Sequence, residues 1–209
     1  MVEVLPQQNK KTVLDAVSCL QEGGVVLLPT DTVLGLAVLP ENLVAVERLF
    51  NLKARPRGKE LPIMVANLEQ LDSLGVIASP DLKKLLNSPL VPGGLTLVAN
   101  LNSKICPKWL KGRKEIAFRI PKFELLTNIL ERTGPLLVTS ANLAGSPTPR
   151  IVSEVLKQLN GEPDLVVNGK MVTDTPSTLV NCTKSLCIVE RVGTIPLIEL
   201  SKWVVLQNG

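Results

Sequence analysis

Short, wholly apolar runs alternate with amphipathic stretches through the first two thirds of the chain. Val13, Ala16, Val17 and Leu20 share one face of a helix that Gly23-Gly24 ends. Val25–Leu28 is continuously apolar, as in a strand buried on both faces. Leu43, Val46, Leu49 and Phe50 form a second helical stripe, and Leu61–Ala66 reads as a strand. Asn67 with Gln70 three residues on, and Ser79 followed by Pro80, mark two helix starts. Further strands are predicted at Leu95–Leu101, Ile116–Ile120 and Leu136–Val138, with a helix on Leu125, Leu126, Ile129 and Leu130 and another on Val152, Val155, Leu156 and Leu159. The last third turns to strands: Leu165–Val167 before a hairpin-type turn at Asn168-Gly169, then Thr178–Val180 and Ile188–Val192. The order predicts a mixed α/β (α+β) protein with a single large twisted mixed β-sheet and helices packed on its faces. No repeat or linker interrupts it, so one domain over residues 1–209 is expected, with residues 104–114 irregular and basic and the tail 197–206 unassigned.

Composition removes several chemistries. The chain has 209 residues, 45% of them hydrophobic and 20% charged, ordinary for a protein that buries a core. With no His, Ser-His-Asp and Cys-His catalysis and imidazole relays are excluded. Aromatics at 2% leave almost no base-stacking platform, and a formal charge of +4 favours anionic ligands without requiring a dedicated nucleic-acid protein. The four cysteines form no C-x-x-C pair and read as packed thiols in a reducing compartment. Residues 1–11 lack the apolar core of a signal peptide and no run reaches membrane-span length, so a cytoplasmic location without membrane partners is expected.

The candidate chemistry centres on Lys53-Ala54-Arg55-Pro56-Arg57-Gly58-Lys59, four cations at every second position. A charged run alone is most often a solvated loop. In extended geometry, which Pro56 favours for Arg55, alternate side chains leave on one face, so the four cations are expected to converge on a polyanion. Polar groups also stand at several strand ends: Thr30 and Thr32, Arg119, Ser140 and Asn142, Ser177, and Arg191. Arg119, one cation among apolar residues, needs a partner or a ligand. Neither G-x-x-x-x-G-K-[ST] nor G-x-G-x-x-G after a strand is present, so any nucleotide must be held by cations. Such a set, with no nucleophile–base pair, suits catalysis by positioning and by stabilising charge on a phosphoryl group.

Several of these stretches occur in a known order. Pro29-Thr30-Asp31-Thr32-Val33, Lys53-x-Arg55-Pro56, Pro92-Gly93-Gly94-Leu95-Thr96-Leu97, Arg119-x-Pro121, Ser140-Ala141-Asn142-Leu143-x-Gly145, Ser177-Thr178 and Arg191-x-Gly193 together resemble the YrdC-like family over residues 23–193. The resemblance implies a YrdC-like fold and a threonylcarbamoyl-AMP synthase, a nucleotidyltransferase. L-threonine, bicarbonate and ATP, with Mg²⁺ accompanying the nucleotide, would give threonylcarbamoyl-AMP and pyrophosphate for the modification of adenosine 37 in tRNAs reading codons that start with A. It also implies roles. Lys53, Arg55, Ser140 and Asn142 would be catalytic; Arg55, Lys59, Glu115, Asn142, Arg150 and Arg191 would bind ATP; and Thr32, Arg119, Ser140 and Ser177 would bind L-threonine, with no protein-built metal site. Candidate partners are tRNA or double-stranded RNA and the downstream threonylcarbamoyl-transferase proteins. The chain departs from the pattern at Leu34 (usually Tyr), Pro176 (often Glu) and Met64 (near a His of some members), which thins the polar wall on the threonine side. A different class, a non-catalytic RNA-binding or ribosome-associated relative, is the alternative those departures allow.

Overall fold

The computed structural model describes residues 2–6, 10–169 and 172–207. Its strands and helices in chain order are β1 (Glu3–Pro6), α1 (Lys10–Gln21), β2 (Val26–Leu28), β3 (Gly35–Val38), α2 (Leu43–Leu52), β4 (Ile63–Met64), α3 (Leu68–Ser73), β5 (Val76–Ile77), α4 (Pro80–Leu86), β6 (Leu95–Leu101), β7 (Glu115–Arg119), α5 (Glu124–Thr133), β8 (Leu136–Ser140), α6 (Val152–Gln158), β9 (Leu165–Asn168), β10 (Thr178–Asn181), β11 (Cys187–Arg191), α7 (Leu197–Leu200) and β12 (Leu206–Gln207). Among the described residues one mixed sheet runs β1-β9-β2-β3-β8-β4-β7-β6-β10-β11-β12, with β5 added on β6. The expected large mixed sheet with helices on its faces is what the chain forms.

Strand alternation divides the interior into two cores. Val25, Leu27, Leu36, Val38, Ile63, Leu97, Phe118, Leu137 and Val166 face α2, α3, α4 and α6. Val26, Leu28, Ala37, Met64, Leu136, Val138, Leu165 and Val167 face α1 and α5. Helices α1 and α5 lie over the β9-β2-β3-β8 half of that second face. Over the β7-β6-β10 half, Thr96, Ala117, Arg119 and Leu179 point to that side and line a cavity. The sheet is therefore closed by helices on one side and only half closed on the other.

Both helix starts read from sequence form as side-chain caps. Asn67 Oδ1 accepts from Gln70 N at 2.9 Å while Gln70 Oε1 accepts from Ala66 N at 2.9 Å, and Ser79 Oγ accepts from Leu82 N at 3.2 Å with Pro80 in the first turn. Three expectations change. The strand expected over Leu61–Ala66 is only Ile63–Met64. Asn168-Gly169 does not close a hairpin, because β9 pairs in parallel with β1 and β2, not with β10. The tail holds α7 and β12, which pairs in parallel with β11, and the 104–114 stretch holds a 3₁₀ turn at Lys108–Leu110.

Phe118 is 1% exposed in the central strand β7 and packs in the helix-covered core. Phe118→Ala is expected to lower unfolding stability by about 3–5 kcal/mol in denaturant titration, the usual cost of a cavity that size. A loss below about 1 kcal/mol would mean that the core around β7 closes over the gap.

Candidate active site

Helix α2 ends in a turn that decides where the basic run goes. Ala54 N donates to Asn51 O at 3.1 Å and Arg55 N to Phe50 O at 3.0 Å, the two bonds of a Schellman C-cap with Lys53 as the capping residue. Ala54 takes φ +47°, the left-handed position that glycine usually fills. The chain therefore turns sharply between Lys53 and Arg55 and is not extended. The expected convergence of four cations does not occur. Lys53, 1% exposed, points inward. Arg57 folds back on α2, pairing with Glu47 at 2.5 Å and lying 5.0 Å over the Phe50 ring. Lys59 is exposed, and Arg55 alone of the four lines the cavity.

Lys53 has a structural task. Its Nζ donates to Ser140 O, to Asn142 O at 2.6 Å and to Asn142 Oδ1 at 3.4 Å, three acceptors for the three N–H groups of an ammonium. Burial, and then the Arg55 charge, push its pKa from 10.5 down to about 8. Asn142 is equally occupied: its Nδ2 donates to Leu143 O at 2.8 Å and Ser146 O at 2.5 Å. Ala144 N donates to Lys53 O at 2.8 Å. Lys53 and Asn142 thus lock the end of β8 to the end of α2, and neither lines the cavity.

The cavity, about 250 Å³, is walled by strand ends. Thr30 Oγ1 donates to Val33 O at 2.7 Å and accepts from Thr32 N at 3.0 Å, which folds the turn after β2. That turn presents Asp31 and Thr32 to Arg119 at the end of β7. Arg119 donates from Nη2 to Asp31 Oδ1 at 2.6 Å, from Nη1 to Thr32 Oγ1 at 2.9 Å and from Nε to Gly93 O at 2.9 Å. Asp31 Oδ2 also accepts from Lys122 N at 3.0 Å. The partner that Arg119 required is thus Asp31.

On the opposite wall Arg191 donates from Nε and Nη2 to Ser177 O at 3.1 and 2.9 Å and from Nη2 to Ser177 Oγ at 3.2 Å. Ser177 Oγ shares a hydrogen bond of 2.7 Å with Thr96 Oγ1. Arg55 is held by the carbonyls of Lys59 and Glu60, at 3.1 and 2.9 Å. Burial lowers the pKa of both guanidiniums, with the neighbouring Arg119 adding to the effect on Arg191. Among the described residues neither Arg55 nor Arg191 is in an ion pair. The cavity therefore brings together Thr32, Arg55, Arg119, Ser140, Ser177 and Arg191 around a positive interior. The rest of its surface mixes apolar residues, among them Leu34, Met64, Val138, Pro176 and Leu179, with Thr30, Glu60, Thr96 and Thr139. Arg150 lies outside it, exposed and paired with Asp174, and Glu115 is exposed at the other end of β7 from Arg119. Asp31, Thr96 and Glu60 join the site without having been candidates. Thr96 and Asp31 carried a signal, their places in the Pro92–Leu97 and Pro29–Val33 stretches, and Glu60 carried none.

Residues 18–193 match the model of the Sua5–YciO–YrdC family, whose description is "Telomere recombination". The chain belongs to this family. Among its members, the threonylcarbamoyl-AMP synthase of Pyrococcus abyssi is 32% identical over 192 residues, covering 90% of this chain and 55% of that protein. The synthase of Pseudomonas aeruginosa is 36% identical over 157 residues, 75% of this chain and 84% of that protein. Of solved family structures, Pyrococcus abyssi Sua5 complexed with L-threonine superposes with a TM-score of 0.85 at 27% identity, over 99% of this chain and 62% of that one. Escherichia coli YciO superposes with a TM-score of 0.82 at 25% identity, over 96% and 98%. The chain spans about half, 55%, of the length of the first two synthases it matches.

Two predictions concern the frame of the site. Lys53→Met leaves buried carbonyl oxygens unpaired and should cost about 1–3 kcal/mol of unfolding stability. Because the folded-state pKa of about 8 lies below the unfolded 10.5, the folded protein releases this proton first, and wild-type stability gains as pH rises between those values. The deficit of the variant should therefore widen from pH 8 to 10.5. A deficit that narrows would show that the three carbonyls hold the proton against burial. Gly193 approaches backbone closely: a Cβ there would lie 2.1 Å from Pro176 O and 2.5 Å from Ser177 C. Gly193→Ala should displace the Ser177 wall, seen as changed amide shifts at residues 176–178, whereas unchanged shifts would place the strain elsewhere.

Proposed function

We propose that this chain is a threonylcarbamoyl-AMP synthase, an ATP-using nucleotidyltransferase acting on L-threonine and bicarbonate. The observation that carries the reading is the pair of guanidiniums, Arg55 and Arg191, that face one cavity and, among the described residues, pair with no carboxylate. Arg55 is half-buried and Arg191 exposed at the cavity wall, and guanidinium forks left without a carboxylate suit an anionic ligand such as phosphate. The reading is supported by the names of the synthases to which the chain is similar and by the L-threonine in the Pyrococcus abyssi structure.

At about 250 Å³ the cavity is smaller than the ~300–1,000 Å³ of a drug-sized site, which suits an amino acid better than a whole nucleotide. L-threonine would sit inside, its carboxylate on the two Arg119 N–H groups left over from Asp31, Thr32 and Gly93, with the hydroxyls of Ser140 and Ser177 nearby. The triphosphate would lie at the mouth, on Arg55 and Arg191 with Lys59 at the rim. Arg150 would join once its exposed pair with Asp174 opens, and Glu115 would contact the nucleotide only from outside the cavity. Lys53 and Asn142 serve as positioning residues for the Ser140 turn. A carbamate oxygen attacks the α-phosphorus, the bond to the β-phosphate oxygen breaks, and pyrophosphate leaves with its charge met by the guanidiniums.

Among the described residues no cluster of three carboxylate, thiol or imidazole groups could hold a metal. Asp31 is spent on Arg119, and Glu60 faces Arg113 at 3.5 Å. Mg²⁺ therefore fits as the companion of the phosphates, where it would neutralise charge. The product would pass to threonylcarbamoyl-transferase proteins acting on tRNA, in the cytoplasm. Among the described residues no helix is long and apolar enough to cross a membrane.

The test is incubation with labelled L-threonine, bicarbonate, ATP and Mg²⁺. Pyrophosphate and threonylcarbamoyl-AMP should form, each dependent on threonine and bicarbonate. Arg55→Ala should lose roughly 10²–10³-fold in turnover, about 2.7–4 kcal/mol, with its fold intact. Absence of product from the wild type, together with tight binding of duplex RNA, would support a non-catalytic RNA-binding protein instead.

A further inference from the structure

The hairpin of β10 and β11 carries Ser177 and Arg191 at its open end and two thiols at its turn. Cys182 and Cys187 flank the turn 183–186 and are 2% and 1% exposed. The antiparallel pairs Val180↔Val189 and Asn181↔Ile188 keep one register, and its next step sets Cys182 opposite Cys187. Directly opposite residues on antiparallel strands have Cα atoms roughly 4.5–5.5 Å apart, within the roughly 4.4–6.8 Å that a disulfide spans. The Sγ atoms are themselves 3.2 Å apart and hydrogen-bonded. Register and side-chain position agree independently. Closing to a bond of about 2.05 Å takes side-chain rotation and little backbone movement.

We propose that Cys182 and Cys187 form a thiol–disulfide site, oxidised by small-molecule disulfides, that staples the turn of the hairpin whose other end builds the Ser177–Arg191 wall. The hydrogen bond between the thiols lowers the pKa of Cys187 and raises that of Cys182, so Cys187 ionises first. The Cys187 thiolate attacks one sulfur of the external disulfide and expels one thiolate. Cys182 then loses its proton and attacks the Cys187 sulfur, expelling the second. The protein pair is oxidised by two electrons, the external disulfide is reduced to two thiols, and those thiols take up the two cysteine protons. Access requires opening of the exposed turn residues Lys184, Ser185 and Leu186. Cys19, whose pKa burial raises to about 11, and Cys106, whose Sγ lies 3.8 Å from Ser103 O, are not in sulfur–sulfur contact and serve as internal controls.

The folded full-length chain is incubated with oxidised glutathione, then alkylated in denaturant and digested with trypsin. Cleavage after Lys184 separates the two cysteines, so their peptides stay together only through a disulfide. The linked pair is expected, with Cys19 and Cys106 alkylated or glutathionylated. The melting temperature should rise, and the rise should be absent in Cys182→Ser and in Cys187→Ser. Amide exchange at residues 183–186 should slow on oxidation. Full alkylation of Cys182 and Cys187 after oxidation of the folded chain, or linkage only from unfolded protein, overturns the site. Linkage without a change in melting temperature or exchange overturns the staple.

Discussion

The ammonium of Lys53 is the fixed point of this molecule. A fully buried cation is costly unless each of its donors finds an acceptor. Here the acceptors are Ser140 O, Asn142 O and Asn142 Oδ1, all from one turn. Residues 53 and 140 lie far apart in sequence, yet this contact joins the last residue of α2's cap to the last residue of β8. Because Lys53 is pinned, the left-handed step at Ala54 must throw Arg55 outward, and the carbonyls of Lys59 and Glu60 catch its guanidinium at the cavity wall. Because the turn is pinned, Ser140 faces the cavity while Asn142 turns back to brace residues 143–148. One buried charge sets the positions of two motif loops.

The electrostatics of the cavity follow from which cations are neutralised. Arg119 meets a carboxylate, Asp31, in a pair that is 4% and 10% exposed. Two hydrogen bonds besides that pair fix its plane, so it acts as a rigid donor more than as a free charge. Among the described residues Arg55 and Arg191 meet carbonyl and hydroxyl oxygens. Those oxygens orient the guanidiniums without cancelling them. The result is positive charge on both sides of a pocket that also presents apolar side chains and the exposed Glu60.

Much of the fold was legible in the sequence, because local rules and tertiary structure agree there. Continuous apolar runs became strands buried on both faces, and Asn67–Gln70 and Ser79-Pro80 became caps since their bonds span three residues. Edge elements were not legible: β1 and β12 are short and partly exposed, so no periodicity marks them. Asn168-Gly169 carries hairpin chemistry but follows a strand whose partners are parallel. At the site, the residue types were readable and their directions were not. The basic run suggested an extended, alternating face; the Schellman bonds overrule it, and the usual signal for that cap, glycine after the capping residue, is replaced by Ala54. Asp31 and Arg119 are separated by 88 positions, and no local pattern announces their pairing.

The same distinction bears on specificity. Hydroxyls discriminate among ligands only when they have bonds left to give. Thr30 is bonded to Val33 O, Thr32 to Arg119, and Thr96 and Ser177 to each other, so most of the hydroxyl wall is already paired within the protein. Leu34, Met64 and Pro176 add apolar surface beside it. A carboxylate entering this cavity is met by oriented guanidinium N–H groups, whereas a side chain entering it is met mainly by carbon. An apolar pocket separates ligands that differ by one small group by only about 1–3 kcal/mol. The architecture therefore offers oriented N–H donors to a charged group and mostly carbon to the rest of what enters, with Ser140, held through its carbonyl by the buried Lys53, as a further cavity hydroxyl.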